Sequence, residues 1–282
     1  MRRFWVVILL LVCAVTALAS ARGLGRMVDD GDGTGELLYL PNGKFLRVAS
    51  LGQAPLLADL IYIWAIQFYS NYEREDRFRY VNHVFSEVIA ELDPHYVDAY
   101  WLGALILIVE DHDLDGGLAL LDQGFAANPE KWILPYLAAW ECALAGEPKR
   151  SAEYFELAAK VPEAPSSVRR MRAAMISRAG DLETSLALWQ EILDEPDGDP
   201  ASVNVARRKI RDLTISIHLR DLQSAIGRFR GDNARYPGSL AELHQDGYIR
   251  FVPRHPDGAD YDYDPRTGKV SGPRGRVLGE SG

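Results

Sequence analysis

Residues 98–129 read DAYWLGALILIVEDHDLDGGLALLDQGFAANP, and this stretch decides the expected fold. It contains two largely apolar segments of helical length, separated by the polar turn 111–113 and closed by Asn128-Pro129. Prolines close similar stretches at Pro94 and Pro162, so the three prolines recur at a nearly constant interval. This interval matches the period of about 34 residues that is typical of stacked helix–turn–helix units. The spacing therefore predicts a series of helical hairpins, each packed against the next.

The same stretch places small residues where two helices would touch. Trp101 lies early in the first helix, and Gly117 and Gly124 lie in the second. Two helices approach to about 8 Å only where side chains are nearly absent. This pattern resembles the tetratricopeptide repeat (TPR), in which an aromatic residue lies early in helix A and a proline closes the unit. The resemblance covers about residues 55–197, and it implies a mainly α fold with a superhelical array of α-hairpins.

Neighbouring segments carry the same resemblance. The next unit has Ala139 in helix A, Gly146 at the turn, and Phe155 and Ala158 in helix B; a later unit contains GDLETSLALW at 180–189, and a degenerate first unit ends in VIAELDP at 88–94. Two positions depart from the family pattern. Leu105 stands where a small residue is usual, and Arg172 stands where leucine is usual. The register of the repeat is therefore open by one residue at both places.

The pattern changes after the Asp-Gly-Asp-Pro break at 197–200. Apolar residues at three-and-four spacing predict one long amphipathic helix over about 203–229. Ser239 then occupies the N-cap position of a short helix. The segments 261–263 and 269–270 are expected to pair as a hairpin. Residues 201–271 are thus predicted to form a long helix followed by a small α+β module.

This order of elements resembles the globular part of the major pseudopilins of type II secretion systems. The residues that carry the resemblance are Phe229-Arg230, Asn233, Arg235-Tyr236-Pro237, Ser239-Leu240, Leu243, Gly247-Tyr248, Pro253, Pro256, Gly258, Tyr261-Asp262-Tyr263 and Gly268. The long helix of a pseudopilin begins at its own processed, apolar N-terminus. Here the helix lies in the middle of the chain and begins with NVARRK, so polymerisation in the pilin manner is not expected.

The pseudopilin resemblance also implies calcium in the C-terminal loops. The candidate ligands are Asp257, Asp260, Asp262 and Asp264. Clustered carboxylate oxygens suit a hard cation. Alternate residues of a strand share one face, so the last three acids would equally form a solvated edge. Apart from calcium, no cofactor is expected.

The N-terminus has the three-part pattern of a secretory signal. Arg2-Arg3 precedes the apolar run 4–19, and Ala19-Ser20-Ala21 follows it. The run is near the lower limit for spanning about 30 Å of hydrocarbon. Cleavage of residues 1–21 and their retention as a membrane anchor are therefore both open, and both place the protein in the periplasm or on the inner membrane facing it. Residues 22–54 predict a linker and an extended segment, and residues 272–282 predict a flexible tail.

Charge and motifs argue against several functions. The formal net charge of −9 disfavours nucleic acid as a partner. The six histidines form no cluster with ligand spacing, and the chain has neither a G-x-S-x-G elbow nor a phosphate loop. The protein is therefore expected not to be an enzyme. A site built from scattered residues between the two domains is the alternative, which no motif supports.

Protein binding is the function that the TPR resemblance implies. In that family, helix A lines a groove that receives a partner. The groove positions implied here are Leu102, Ile106, Val109 and Glu110. Tyr62 and Tyr69 belong to an aromatic-rich segment that suits a binding surface and a packed helix equally.

The sequence thus predicts a non-enzymatic scaffold of the bacterial cell envelope that binds another envelope protein or peptide through its repeats. An alternative is an accessory component of a secretion or type IV pilus-like machine, whose C-terminal module contacts pseudopilins. The first interpretation depends on the helical repeats, whereas the second depends on residues 201–271.

Overall fold

The computed structural model describes residues 40–71, 77–195 and 199–273, and these are mainly helical. The helices are α1 (Gly43–Ala49), α2 (Ala54–Tyr69), α3 (π-helical His83–Ile89 continued by Ala90–Leu92), α4 (Val97–Leu105 continued by π-helical Ile106–Glu110), α5 (Leu114–Ala127), α6 (Ile133–Leu144), α7 (Pro148–Ala159), α8 (Ser166–Arg178), α9 (Leu182–Leu193), α10 (Pro200–Asn233) and α11 (Leu240–Gln245). A 3-10 turn, Arg77–Tyr80, precedes α3, and a sheet contains β1 (Asp262–Asp264) and β2 (Lys269–Ser271). The expected leader, most of the linker and the tail from residue 274 lie outside the described residues. Within the described ranges, no helix combines the length and apolarity needed to cross a bilayer.

Helices α4 to α10 pack in chain order, each against the next. The alternate helices α4 and α6 also touch, as do α8 and α10. The apolar core follows this order in three clusters. The first joins α2 to α6 around Phe85 and Leu118, the second joins α6 to α8 around Phe155, and the third joins α8 to α10 around Trp189. Each helix therefore buries apolar surface on two neighbours, which is the main force holding such a stack together.

One buried hydrogen bond recurs along these helices. Ser151 Oγ donates to the carbonyl oxygen of Ala139 at 2.7 Å, and Ser185 Oγ donates to that of Ala173 at 2.7 Å. The same interval separates the two serines and the two alanines, so each pair occupies corresponding positions of consecutive hairpins. Gly117 precedes Ser151 by that interval, and a Cβ added to it would lie 3.0 Å from a backbone oxygen of α4. Small residues thus make close helix–helix contacts at positions that recur with a period near that of the prolines.

The turns after α6 and α8 recur in the same way. Gly146 and Gly180 follow these helices with φ of 80° and 93°. Glycine adopts this left-handed conformation without the steric penalty that a Cβ brings, and it commonly ends helices for that reason. The interval between the two glycines equals the interval between Ser151 and Ser185, which aligns α6 with α8 residue by residue.

Helix α1 differs from the sequence prediction, because part of the extended segment expected in 22–54 is helical. The side chain of Asn42 caps α1 by accepting a hydrogen bond from the backbone N–H of Phe45 at 2.9 Å. Gly43 packs against the backbone of α3, where a side chain would not fit. A seven-residue helix has little intrinsic stability, so this contact with α3 is what holds it.

Helix α10 links the hairpins to the C-terminal module. It contains 34 residues and is therefore about 51 Å long. Its first half places Ala206 and Leu213 in the third cluster, and its second half places Ile226 and Phe229 in a separate core with α11 and the sheet. Ser239 caps α11, and the strands pair antiparallel with Tyr263 opposite Val270. The long helix, the capped short helix and the hairpin predicted from the sequence are confirmed.

Candidate functional site

Two of the predicted partner-binding residues belong to the core. Tyr69 is 3% exposed and Ile106 is 4% exposed. Tyr69 stands at a ring-centroid distance of 5.9 Å from buried Phe85, and burial raises the pKa of its phenol. Side chains enclosed to this degree offer no surface to a partner. The groove prediction is therefore wrong for Ile106, and of the two alternatives for the segment of Tyr69 the packed helix is the one observed.

Three others are partly enclosed. Tyr62 packs on Tyr96 with ring centroids 4.9 Å apart, and Leu102 packs against the first core cluster. Glu110 forms an ion pair with Arg77, with Oε2 2.8 Å from Nη2. These contacts tie α2, α4 and the turn before α3 together. The three side chains therefore have structural roles, and partner contact by them stays a prediction.

The solvent-facing side of α4 lies one residue away from the predicted one. Trp101 is 46% exposed and Leu105 is also exposed, whereas Leu102 is half-buried. The π-helical turn Ile106–Glu110 bonds residue i to i+5, so it adds a residue before the helix ends. Val109 thereby stays on the exposed side, and partner contact by it stays a prediction. Leu105 stands where the TPR pattern has a small residue. This departure was the sign in the sequence that the repeat register could be shifted by one residue here.

Helix α6 carries the same arrangement. Tyr136 is half-buried, Trp140 is 44% exposed and Leu144 is exposed. Each follows its counterpart on α4 by the interval that also separates Pro94 from Pro129. We call the surface that these side chains form the apolar face, and its members are Trp101, Leu105, Val109, Tyr136, Trp140 and Leu144. Sequence reasoning missed five of these six, although their common spacing was present in the chain.

The apolar face ends at α8. The alignment of α6 with α8, set by Gly146 and Gly180, places Arg170, Ala174 and Arg178 at the positions that Tyr136, Trp140 and Leu144 hold on α6. Two of these three α8 residues are cations. The change from tryptophan and leucine to arginine and alanine ends the apolar face on the side of α8.

The C-terminal acids enter local contacts. Asp257 pairs with Arg211, with Oδ1 3.0 Å from Nε. Asp264 accepts hydrogen bonds from the backbone N–H of Arg266 and the hydroxyl of Thr267, and these bonds lower the pKa of its carboxyl. Across residues 40–71, 77–195 and 199–273, no group of three or more histidine, cysteine or acidic side chains could hold a metal ion. Calcium binding by Asp257, Asp260, Asp262 and Asp264 therefore stays a prediction.

A histidine–tyrosine cluster holds α10 to the C-terminal loop. His218 Nδ1 lies 3.0 Å from the hydroxyl of Tyr261, and the buried His255 packs against the Tyr261 ring with centroids 5.7 Å apart. Burial lowers the pKa of His218, with a smaller contribution from His255, and nearby Asp221 opposes the shift. The native module therefore binds a proton at His218 less readily than the unfolded chain does.

We expect this histidine–tyrosine cluster to make the stability of the C-terminal module sensitive to acid. Since the folded pKa of His218 lies below its unfolded value of about 6.5, its contribution is present above that pH and is lost as the pH falls through the folded pKa. We expect the urea midpoint of the C-terminal module to fall between pH 7 and pH 5, and His218→Gln to reduce that fall. Circular dichroism at stepped pH values measures both midpoints. Equal falls in the two proteins would show that His218 is not the responsible group.

Comparison with known proteins assigns no role to these features. The chain matches no protein-family model, and it has no significant match among curated proteins. A function is therefore supported by the contacts, exposures and charges of the described residues, together with the sequence patterns.

Proposed function

We propose that this protein is a non-enzymatic scaffold of the bacterial cell envelope that binds a partner protein through the apolar face of a TPR-like helical array. The apolar face is the observation that carries the proposal. Corresponding positions of two touching helices carry the six side chains of the apolar face, and the two tryptophans among them are about half exposed. Exposed apolar patches of this kind are typical of interaction sites, and tryptophan is enriched among the residues that dominate binding energy.

Three recurring features support a TPR-like array over an irregular bundle. The serine–carbonyl bond recurs between α6–α7 and α8–α9, and the glycine turns recur after α6 and α8. The closing prolines recur at Pro94, Pro129 and Pro162. All three have a period near that of helix–turn–helix repeats. In such arrays each unit contacts only its neighbours, which leaves one side of every helix A open to a partner.

The envelope location is supported by the N-terminal pattern. Two arginines, an apolar run and a small-residue site precede the described residues, as in exported proteins. This pattern supports a location for the protein in the periplasm or on the inner membrane facing it. Its partner is another envelope protein or peptide that supplies an apolar surface for the two tryptophans.

A paired tryptophan variant tests this function. Replacing Trp101 and Trp140 together with serine is expected to reduce partner recovery about tenfold or more, because one tryptophan hot spot contributes about 2 kcal/mol. The full-length protein is crosslinked in its own cells, and the captured partner is quantified against wild type. Since both side chains are about half exposed, the fold should tolerate the change.

Phe251→Ser is the matched control, because Phe251 is 64% exposed but lies in the C-terminal module. The proposal requires that this variant keeps the partner. If the paired tryptophan variant recovers the same partner in the same amount, the apolar face is not the binding element. If Phe251→Ser is the variant that loses it, the C-terminal module makes the contact, as the secretion or pilus-machine alternative requires.

A further inference from the structure

The C-terminal module contains a cavity of about 360 Å³ between α10 and the segment 248–253. Its apolar lining comes from Leu222 on α10 and from Ile249 and Pro253 opposite. Leu222 and Pro253 are buried side chains that belong to the body of the module. The cavity is therefore built on packed elements and not on a surface loop alone. It lies outside the apolar face and has no part in the function proposed above.

Two guanidinium groups line this cavity. Arg228 is held in place, because Nη1 donates to Ser224 Oγ at 3.0 Å and Nη2 donates to the carbonyl oxygen of Tyr248 at 3.1 Å. Arg250 is exposed, and among the described residues no acidic side chain pairs with it. Two cations thus line the same cavity: Arg228, which its hydrogen bonds hold in position, and Arg250, which is exposed and pairs with no acid of the described residues.

The acid that lines the cavity is already engaged. Asp221 Oδ1 lies 2.8 Å from Nη2 of Arg220, which also pairs with Glu183 on α9. His218 lines the cavity too, but burial lowers its pKa and so disfavours its charged form. The two arginines therefore leave the cavity with a net positive charge, which favours an anionic ligand.

An exposed aromatic ring completes the site. Phe251 lines the cavity and is 64% exposed, so a large part of its ring faces solvent. A ligand with an apolar body would cover this ring and the apolar lining. Removing such a surface from water favours binding. The apolar lining and the two cations therefore favour a ligand that combines both kinds of surface.

We infer that this cavity binds a carboxylate attached to a small aromatic or aliphatic body. The carboxylate would pair with Arg250 and with the free N–H groups of Arg228, since guanidinium matches carboxylate geometry. The apolar body would lie against Phe251 and Leu222. A free organic acid and the carboxy-terminal residue of a partner chain share this chemistry.

Titration calorimetry on the full-length protein tests the inference with 2-naphthoate as the probe and uncharged 2-naphthamide as its matched control. A hydrogen bond to a charged group contributes about 1.5–3 kcal/mol, so naphthoate is expected to bind at least about tenfold more tightly than the amide. Arg250→Gln should remove about tenfold of the naphthoate affinity. This variant should keep the module folded, because Arg250 is exposed and pairs with no acid of the described residues. Arg266→Gln, which changes a cation elsewhere in the module, should leave the affinity unchanged.

The tripeptide Gly-Gly-Phe and its C-terminal amide distinguish the two sources of the carboxylate. Tighter binding of the free tripeptide than of naphthoate would assign the cavity to a chain terminus, and weaker binding would assign it to a free acid. The inference is overturned if naphthoate and naphthamide bind equally, if neither binds, or if Arg250→Gln leaves the affinity unchanged. None of these results depends on the partner of the apolar face, so the two proposals fail separately.

Discussion

Replacing Trp189 with alanine is expected to lower the free energy of unfolding by about 3–5 kcal/mol. Trp189 is 2% exposed and lies in α9, where it packs with Ala173 of α8 and with Ala206 and Leu213 of α10. Its removal leaves a large cavity where three helices meet. Because α10 continues into the C-terminal module, this cluster is also what seats the module on the hairpins. Urea unfolding followed by circular dichroism measures the loss.

Trp140→Ala is the matched control, since it makes the same chemical change at a residue that is 44% exposed. Surface substitutions usually change stability by about 0.5 kcal/mol or less. We therefore expect the control to stay close to wild type. Equal losses in the two variants would mean that α9 does not join α8 to α10 as described.

Gly124→Ala is expected to lower the free energy of unfolding by about 1–3 kcal/mol, although alanine favours helices over glycine. A Cβ at Gly124 would lie 2.7 Å from Cγ of Tyr100, whose side chain is buried. The ring is enclosed between α4 and α5, so one helix has to move. The cost of that movement exceeds the gain in helix propensity. Chemical unfolding of the full-length protein compares the variant with wild type.

Gly227→Ala provides the opposite expectation. Gly227 lies within α10, and a Cβ added there meets no atom within 4 Å. Without a clash, only the higher helix propensity of alanine over glycine acts, and it should stabilise the protein by about 0.5–1 kcal/mol. If Gly124→Ala is also stabilising, α4 and α5 are not in the close contact that the glycine permits.

Several parts of the fold follow from local sequence. Gly117 and Gly124 were predicted at a helix contact, because small residues at helical spacing allow two helices to approach closely, and both lie at such a contact. Ser239 was predicted as a helix cap, and its hydroxyl accepts a hydrogen bond from Glu242 N–H. These features depend on neighbours only a few positions away in the chain. Sequence spacing is therefore enough to find them.

Sequence spacing did not identify the solvent-exposed residues of α4. The resemblance placed Leu102 and Ile106 in the groove, whereas Trp101 and Leu105 reach solvent instead. Every residue from 101 to 109 is apolar, so no polar residue in this part of α4 marks the side that faces solvent. The exposed side is set by the helices packed on the other sides of α4 and by the π-helical turn at its end.

The proline spacing, the helix caps and the turns can thus be found from the sequence alone, since each depends on residues close together in the chain. The spacing of Pro94, Pro129 and Pro162 predicts helical hairpins of nearly constant length, and the structure is mainly helical. The apolar face and the cavity between α10 and residues 248–253 arise from packing between distant segments. Leu222 and Phe251 are far apart in sequence, and no periodic pattern connects them. Their meeting depends on how α10 docks against the loop, which the core of the module around Phe229 determines.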